Sequence, residues 1–475
     1  MKKYDVIIIG SGIGGLICGA YLAKNGKKVL VLEKNKEPGG YCTSFYRRGF
    51  LIDSTIHAIQ SCQEGSVLFR IFNELKVFDK LRLVRSNPTD TIFSNKGIIH
   101  IDNDINVTIN NFKAIFKNES RGIDNFFKIL TNSNFSSIYF KFRDKSFKEL
   151  LDLCFKNDEI KAIFDIFLGN IGSFSTQTSS ITAIALLRQF ILYGGYYPSG
   201  GMQRIPDQLV EIIRHFDGRI IFQKKVQKII LKENVAVGVE VRDGGIFNAE
   251  CIVSNSDLKY TFTRLLDLNN SFPEFYTKLK QYTPSYSIFI HYLLLKKSLK
   301  NVLNTGSGIW FVPNEKCLED YDIDNLHRRH NIGMFCSISS KLDESLMPDD
   351  HDIVRLMVSA KYKDENYWRI NSKSIEKCLV NKLREVVPSI DQMIICSGRT
   401  TAKTMQNYTI NSQGAVCGWM NTVYQVNNPI VNYMPRIKNL YFTGHWISNL
   451  YGNGGIAMAA ESGYNCAKKV IRSHT

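Results

Sequence analysis

Three glycines near the N-terminus have the spacing of a phosphate-binding turn. Gly10, Gly12 and Gly15 follow a short apolar run and precede a longer one with helical periodicity. In such a strand, turn and helix, Gly10 permits the tight turn, Gly12 lets the backbone approach a pyrophosphate, and Gly15 lets the helix pack on the sheet. The N–H groups at the start of the helix then bind phosphate oxygens. The spacing therefore predicts a dinucleotide-binding turn.

Glu33 ends the second apolar strand of this unit, eighteen residues after Gly15. A carboxylate at this place accepts hydrogen bonds from both ribose hydroxyls of an adenosine, and it argues against a 2′-phosphate on that ribose. A glycine-rich turn alone is common, but here the strand, the helix and the acid agree. Gly39 and Gly40 follow and allow a second close backbone approach to the same nucleotide.

Glycines near the C-terminus favour FAD over a nicotinamide cofactor. The segment 439–444 has the pattern of a strand that ends in Gly444, and Gly454 and Gly455 open a final helix. Backbone N–H groups there can reach the far end of an extended cofactor, and the helix dipole can stabilise negative charge on a reduced flavin. A nicotinamide cofactor needs a separate pocket instead. We therefore predict bound FAD and leave the external reductant or oxidant open.

Composition excludes several classes of protein. The chain has 475 residues, 44% of them hydrophobic, and a net charge of +16, so we expect two globular domains and an anionic partner. No RNA-binding module, zinc pattern or basic recognition helix is present, which argues against nucleic acid. A lysine-rich solvated surface and attachment to an anionic membrane both stay open.

The eleven cysteines are scattered, without a C-x-x-C pair or neighbouring histidines. This pattern predicts free thiols in a reducing compartment and no metal site. The sequence has no apolar run of about eighteen residues and no cleavable signal. We expect a cytoplasmic protein that is soluble or peripheral at the inner face of the membrane.

Four blocks of sequence resemble the phytoene desaturase, carotenoid isomerase and retinol saturase family of FAD enzymes. The blocks are 10–57, 196–213, 237–255 and 439–471. The resemblance implies an α/β fold with a Rossmann-type FAD-binding domain similar to that of glutathione reductase, a discontinuous α+β substrate domain and a helical cap. The expected bounds are 1–70, 195–265 and 405–475 for the FAD domain, 71–194 for the mostly helical cap, and 266–404 for the mixed sheet that meets the substrate.

Cofactor contacts follow from the same resemblance. Tyr41 stands where the family often has arginine, so a pyrophosphate contact is lost or passes to Arg47 or Arg48, and His445 stands where related flavoproteins often have an acid. The implied FAD-binding residues are Gly10, Gly12, Ile13, Gly14, Gly15, Glu33, Lys34, Gly39, Gly40, Tyr41, Val226, Gly444, His445, Gly454, Gly455 and Ile456.

The chemistry of the family requires little from side chains. Hydride moves between a carbon atom and flavin N5, and the protein aligns a carbon–carbon bond over the flavin in a dry apolar tunnel. One polar group near the paired proton completes the site. The candidates are His57, His445 and Tyr451, each with a structural or flavin-contact role as the alternative.

The predicted function is an FAD-dependent oxidoreductase that desaturates or saturates carbon–carbon bonds of an apolar polyene or isoprenoid-like substrate. The electron partner is a quinone, oxygen or NAD(P)H. One alternative is a redox-neutral cis–trans isomerase, and another is a flavin oxidase or desaturase acting on an amine or on a carrier-bound intermediate in secondary metabolism. Loss of FAD binding through Tyr41 and His445 would leave a binding protein.

Overall fold

The computed structural model describes residues 3–266, 268, 271–313, 333–347, 350–447, 452 and 454–474. Its strands are β1 (Tyr4–Ile9), β2 (Val29–Leu32), β3 (Ser44–Arg47), β4 (Phe50–Asp53), β5 (Leu83–Arg85), β6 (Asp90–Ser94), β7 (Gly97–Ile101), β8 (Tyr196–Pro198), β9 (Arg219–Ile221), β10 (Val226–Lys232), β11 (Val235–Val241), β12 (Ile246–Ser254), β13 (Ser287–Leu295), β14 (Gly308–Phe311), β15 (Met334–Ile338), β16 (Asp352–Ala360), β17 (Ile394–Thr400) and β18 (Leu440–Phe442).

The helices are spread unevenly between these strands, with six of them, α3 to α8, in succession between β7 and β8. They are α1 (Ile13–Lys24), α2 (Val67–Glu74), α3 (Ile105–Ile115), α4 (Ser120–Thr131), α5 (Phe135–Phe142), α6 (Phe147–Cys154), α7 (Asp158–Ile166), α8 (Ser180–Leu187), α9 (Arg204–His215), α10 (Leu258–Tyr260), α11 (Pro273–Gln281), α12 (Glu365–Arg384), α13 (Ile390–Met393), α14 (Ala402–Thr409), α15 (Val423–Asn427) and α16 (Gly455–Ser473).

The first sheet has the strand order β10-β11-β12-β1-β2-β9, and β18 also pairs with β12. The strand β2 is apolar throughout and β1 is apolar apart from Asp5, because both faces of this parallel part of the sheet are covered, one by α1 and the other by residues of β10 and β11. The strand β12 is antiparallel to β11 in its first half and parallel to β1 and β18 in its second half. This confirms a Rossmann-type FAD domain that is assembled from separate parts of the chain.

The second sheet has the order β17-β13-β16-β15-β14-β6-β7. Alternate residues of its strands face opposite sides, so that Phe289 and Leu356 pack with α12 while Trp310 and Met357 pack with the cap. The hairpin β6–β7 lies within the region predicted to be mostly helical. Its β-branched residues and the turn at Gly97 were the available sequence signals.

The helical cap is held together by a cluster of phenylalanines. Phe112 stacks on Phe164 with ring centroids 5.1 Å apart, and Phe126 lies 4.3 Å from Phe164. This cluster continues into side chains of the second sheet, so the cap and that sheet share one apolar core. We propose to keep the predicted domain bounds, with the hairpin β6–β7 assigned to the second sheet. Among the described helices, none is long and apolar enough to cross a bilayer.

Candidate active site

The glycine turn after β1 has no room for larger side chains. Gly10 has φ +92°, which favours glycine, and a Cβ atom on Gly14 would lie only 2.8 Å from Cα of Gly444. The second glycine turn lies beside the first, because the N–H of Gly39 donates to the carbonyl of Ser11 over 2.8 Å. The glycines from the two ends of the chain therefore form one backbone-lined surface.

Glu33 lies at the end of β2 with its carboxylate already anchored. Its Oε2 atom accepts hydrogen bonds from the N–H and hydroxyl of Ser11 at 2.8 and 2.7 Å, and Oε1 accepts from the N–H of Asn35 at 2.8 Å. A carboxylate has about four acceptor positions. One position is left, so we expect Glu33 to accept a hydrogen bond from one ribose hydroxyl instead of both.

Asn255 links the turn after β1 to the C-terminal strand. Its side-chain Nδ2 donates to the carbonyl of Gly10 at 3.4 Å, and its Oδ1 would lie 2.5 Å from a Cβ atom on Gly444. Sequence analysis missed this residue. The available signal was its position directly after the buried half of β12, since polar residues at the carboxyl ends of parallel strands commonly face a ligand.

A single cavity continues from Glu33 past the glycine turns to the gap between the cap and the second sheet. Its volume is about 2430 Å³, including the part open to solvent. Fifteen of the sixteen predicted cofactor-binding residues line this cavity, and the exception is Gly15. A Cβ atom on Gly15 would lie 2.3 Å from the carbonyl oxygen of Gly10, so this glycine allows α1 to pack on the turn.

The far end of this cavity is apolar, and we call it the apolar end. Its wall includes side chains from the cap and from the second sheet, namely Leu186, Phe190, Trp310, Phe335 and Met357. The segment Arg188–Leu192 continues α8 as a turn of π-helix, which is a frequent feature of functional sites. The five side chains of the apolar end, from Leu186 to Met357, are each more than nine-tenths buried, so water is largely excluded from them.

His57 lies at the apolar end of the cavity. Its ring centroid is 4.1 Å from that of Phe335 and 6.3 Å from that of Phe190. Burial, and then the positive charge of Arg355, lower the pKa of His57 to about 3. The imidazole is therefore neutral at physiological pH.

Arg355 fixes the backbone that leads into His57, and sequence analysis did not single it out. Its Nη1 donates to the carbonyls of Asp53 and Ile56 at 3.1 and 3.0 Å, and its Nη2 donates to Oγ of Ser337 at 3.0 Å. The side chain is fully buried. Arg355 thus ties the segment after β4 to strands β15 and β16 of the second sheet.

His445 and Tyr41 lie together in the cavity wall, with ring centroids 5.9 Å apart. Burial lowers the pKa of His445 to about 4, although a hydrogen bond to the backbone of Val416 opposes this shift. The hydroxyl of Tyr41 donates to the carbonyl of Ala415 at 2.9 Å. Tyr41 therefore joins the second glycine turn to the segment before β18.

Three residues named in the sequence analysis remain, Arg47, Arg48 and Tyr451, together with one buried cysteine of the cavity wall. Arg47 and Arg48 are exposed and are not among the cavity residues, so neither is placed to take over a pyrophosphate contact. Tyr451 lies outside the described residues. Cys417 lies in the cavity wall, but burial raises the pKa of its thiol to about 11, so it is not a thiolate nucleophile at neutral pH.

Residues 13–471 match the family described as flavin containing amine oxidoreductase. The chain belongs to this family. Prolycopene isomerase 2, chloroplastic, from an Oncidium hybrid cultivar is 24% identical over 523 residues, a match covering 99% of this chain and 84% of that protein. All-trans-retinol 13,14-reductase from Macaca fascicularis is 24% identical over 536 residues, covering 99% and 86%. These names confirm the resemblance to the carotenoid isomerase and retinol saturase family.

Two further comparisons concern length and fold. The inactive all-trans-retinol 13,14-reductase from Danio rerio is 28% identical over 298 residues, and this match spans 55% of the chain and about half, 49%, of that protein. An oxidoreductase structure from Methanosarcina mazei has a TM-score of 0.71 at 18% identity and covers 97% of this chain and 100% of that one. This likeness shows the fold.

This flavin oxidoreductase uses FAD, and its residues fit that cofactor. The backbone-lined turns at Gly10 and Gly39 suit a pyrophosphate, and the remaining acceptor position of Glu33 suits a ribose hydroxyl. At the other end, a Cβ atom on Gly455 would meet no atom within 4 Å, so α16 begins at open space. The helix start there offers N–H groups to the flavin end of FAD.

Proposed function

We propose that this FAD-dependent oxidoreductase acts on a carbon–carbon bond of an apolar polyene or isoprenoid-like substrate, with desaturation as the preferred direction. The observation that supports this proposal is the apolar end of the cavity, which adjoins the glycine-lined part in one continuous space. Leu186, Phe190, Trp310, Phe335 and Met357 can contact a long apolar chain and keep water away from it.

FAD, when bound, supplies the capacity to accept or donate a hydride. In desaturation, the loss of a hydride from one carbon is paired with the loss of a proton from its neighbour. We propose that a ring nitrogen of His57 passes that proton on to water and does not hold it, because the imidazole makes no hydrogen bond with another described side chain but, with a pKa of about 3, is a weak base. In saturation the same nitrogen would return a proton, which it must first take from solvent.

Arg355 has a positioning role in this proposal. Its two hydrogen bonds to the carbonyls of Asp53 and Ile56 fix the backbone immediately before His57, and its charge disfavours protonation of the imidazole. His445 is proposed as a cofactor contact, because its hydrogen bond to the backbone of Val416 already uses one ring nitrogen.

The first experiment is an anaerobic absorption spectrum of the FAD-loaded protein before and after addition of NADH or NADPH. A desaturase is expected to keep its flavin oxidised, because its own substrate is the reductant and a quinone or oxygen is the acceptor. Rapid bleaching by nicotinamide would instead favour a saturase or an isomerase that works with reduced flavin. A protein that stays colourless with added FAD would contradict the assignment altogether.

Product analysis separates the remaining alternatives. A desaturase yields a product lighter by two hydrogen atoms, whereas an isomerase yields a product of unchanged mass. The isomerase alternative is favoured by the relative named prolycopene isomerase. Hydrogen peroxide formed with amines but not with polyenes would favour an amine oxidase, in keeping with the description of the family.

Association with an anionic membrane is a further part of the proposal. The net charge is +16, and the side chain of Phe140 on α5 is 76% exposed next to Lys141. An exposed aromatic ring next to cationic side chains can insert at a lipid interface.

Flotation with phosphatidylserine vesicles tests this proposal. It is expected to recover the wild type, and to recover less of Phe140→Ser. The matched control is Ile370→Ser, which removes a 62% exposed apolar side chain from α12. Equal recovery with neutral vesicles would contradict the proposal.

A further inference from the structure

One carboxyl group in the cavity wall lacks a partner for one of its oxygens. Asp165, near the end of α7, is only 2% exposed and belongs to the cavity wall. Its Oδ1 atom accepts a hydrogen bond from the N–H of Ser175 at 2.6 Å. Its Oδ2 atom is closed to solvent and has no hydrogen-bond partner among the described residues. A buried carboxyl oxygen of this kind is costly unless a ligand satisfies it.

Asp165 lies where the cap meets the second sheet. Gly169 follows it by four residues, in the 3-10 turn after α7, and both residues line the cavity. A Cβ atom on Gly169 would lie 3.3 Å from Oγ of Ser359, on the cavity side of β16. Met357, two residues before Ser359, belongs to the apolar end. The carboxyl group thus belongs to the same cavity wall as Met357, on the side that the cap provides.

We propose that Oδ2 of Asp165 accepts a hydrogen bond from a hydroxyl group at one end of an otherwise apolar substrate. This inference rests on the proposed function, because it assumes an apolar chain in this cavity. Asp165 would then be a specificity-determining residue: the chain fills the apolar end, and the hydroxyl satisfies the carboxyl oxygen.

The number of free acceptors favours a hydroxyl over an ammonium group. A hydroxyl has one donor, which matches the single free oxygen of Asp165, whereas an ammonium group has three donors. Two of those donors would have to find partners beside an apolar wall. The net charge of +16 also disfavours the approach of a cation. Burial raises the pKa of Asp165 to about 6, opposed by hydrogen bonds from Ser175, so the carboxyl is mainly ionised at neutral pH.

The test measures equilibrium binding of four probes to the FAD-loaded protein through quenching of tryptophan fluorescence. The probes are all-trans-retinol, its methyl ether, the hydrocarbon without the oxygen, and the corresponding primary amine. The ether keeps the oxygen but cannot donate. A hydrogen bond to an ionised group favours the alcohol by about 10-fold or more over its ether.

Asp165→Asn replaces the free acceptor oxygen by a donor nitrogen and keeps the contact to Ser175. The amide oxygen can still accept from the N–H of Ser175, which places the amide nitrogen where Oδ2 was. That nitrogen donates to the oxygen of the alcohol and of the ether alike, so the preference is expected to fall to about 2-fold or less. The matched control is Glu159→Gln, a buried carboxylate on the same helix that accepts from the N–H of Lys96 and is not a cavity residue. It is expected to keep the preference.

The outcomes distinguish this inference from the proposed function. Equal binding of alcohol, ether and hydrocarbon by the wild type would overturn the role of Asp165, but would still support binding of an apolar substrate at the apolar end. Tightest binding of the amine, lost in Asp165→Asn, would overturn the hydroxyl assignment. Absence of binding by all four probes would overturn both proposals for polyene substrates. If Asp165→Asn loses FAD, Asp165→Ser is measured in the same way, and the probe comparison in the wild type still decides.

Discussion

The two ends of the cavity are built from different parts of the polypeptide. At the nucleotide end, which comprises Gly10, Gly14, Glu33, Gly39 and Gly444, backbone groups and one anchored carboxylate form the wall. At the apolar end, large side chains from the cap and the second sheet form it. Backbone N–H groups bind features that many ligands share, such as phosphate, whereas the shapes of large side chains determine which substrate fits. We therefore expect substitutions at the first end to affect FAD, and those at the second to affect substrate and pH behaviour.

The largest effect is expected for Gly14→Val. A Cβ atom there would lie 2.8 Å from both Cα and N of Gly444, which are backbone atoms that cannot give way alone. FAD affinity is expected to fall by about 10-fold or more, measured by titration of the apoprotein. The matched control is Gly19→Ala on the same helix, where the nearest atoms are the ends of the Ile8 and Ile213 side chains at 3.2 Å. Equal losses in the two variants would show that the nucleotide end has no special dependence on its glycines.

Next in size is Glu33→Gln. The amide nitrogen of glutamine would face either the donors of Ser11 or the N–H of Asn35, so at least one hydrogen bond is lost. The variant also replaces the charged acceptor of the ribose hydroxyl by a neutral amide. Hydrogen bonds to a charged group contribute about 1.5–3 kcal/mol, which predicts FAD binding weaker by about 10- to 100-fold if that bond is lost. Glu37→Gln, an exposed position in the following turn, has the same charge change and serves as the control. Unchanged FAD binding in Glu33→Gln would exclude a role for this carboxylate.

A substitution at the apolar end is expected to change the pH dependence of stability instead. The pKa of His57 is lowered from 6.5 to about 3, so between these values the unfolded chain binds a proton that the folded protein does not. Stability is then lost as the pH falls. Relative to His57→Phe, the wild type is expected to lose about 2 kcal/mol of unfolding free energy between pH 6.5 and about pH 4.5. Urea unfolding at several pH values measures this difference. Exposed His215→Phe controls for the loss of an imidazole. Parallel pH profiles for the wild type and His57→Phe would contradict the burial of a neutral imidazole.

The smallest effect is expected for Tyr41→Phe. The variant keeps the ring beside His445 and loses the hydrogen bond to the carbonyl of Ala415. A neutral hydrogen bond contributes about 1 kcal/mol. This bond joins two protein groups, so its loss affects FAD only through the position of the second glycine turn, and about 5-fold is the upper limit of the expected fall in FAD affinity. Asp53 and the apolar end are untouched, and substrate affinity should stay within 2-fold, by the same fluorescence assay. A larger change in substrate binding than in FAD binding would contradict the separate roles of the two ends.

How much could be predicted from the sequence differs between these ends for a physical reason. The contacts of Gly10, Gly12 and Glu33 lie largely within one strand-turn-helix-strand unit, so their spacing along the chain is informative. Arg355 contacts the carbonyls of Asp53 and Ile56, 302 and 299 residues away, and no local pattern indicates such a pairing. Asp165 was likewise an ordinary acid on an amphipathic helix until the fold placed it in the cavity wall.

The hairpin β6–β7 shows a second kind of limit. Its strands are short and lie between helical segments, and β6 obtains its partner β14 only from residues 308–311. Local propensity is a weak guide where a distant strand completes the pairing. His57, in contrast, was a candidate from the sequence because it follows a strand expected to run beside the flavin. The structure places it beside Phe190 and Phe335, and its role in catalysis stays a prediction.

The contact between Gly14 and Gly444 has a consequence for the order in which this protein matures. These residues are 430 positions apart, and Asn255, which touches both glycine segments, lies in the middle of the chain. A chain still on the ribosome has the first glycine turn but not the strand and helix that complete it, and closing so long a loop is slow. We therefore expect tight FAD binding only after β18 and α16 have been synthesised and have docked on the first glycine turn, so that FAD binds late and then stabilises the contact between two distant parts of the chain.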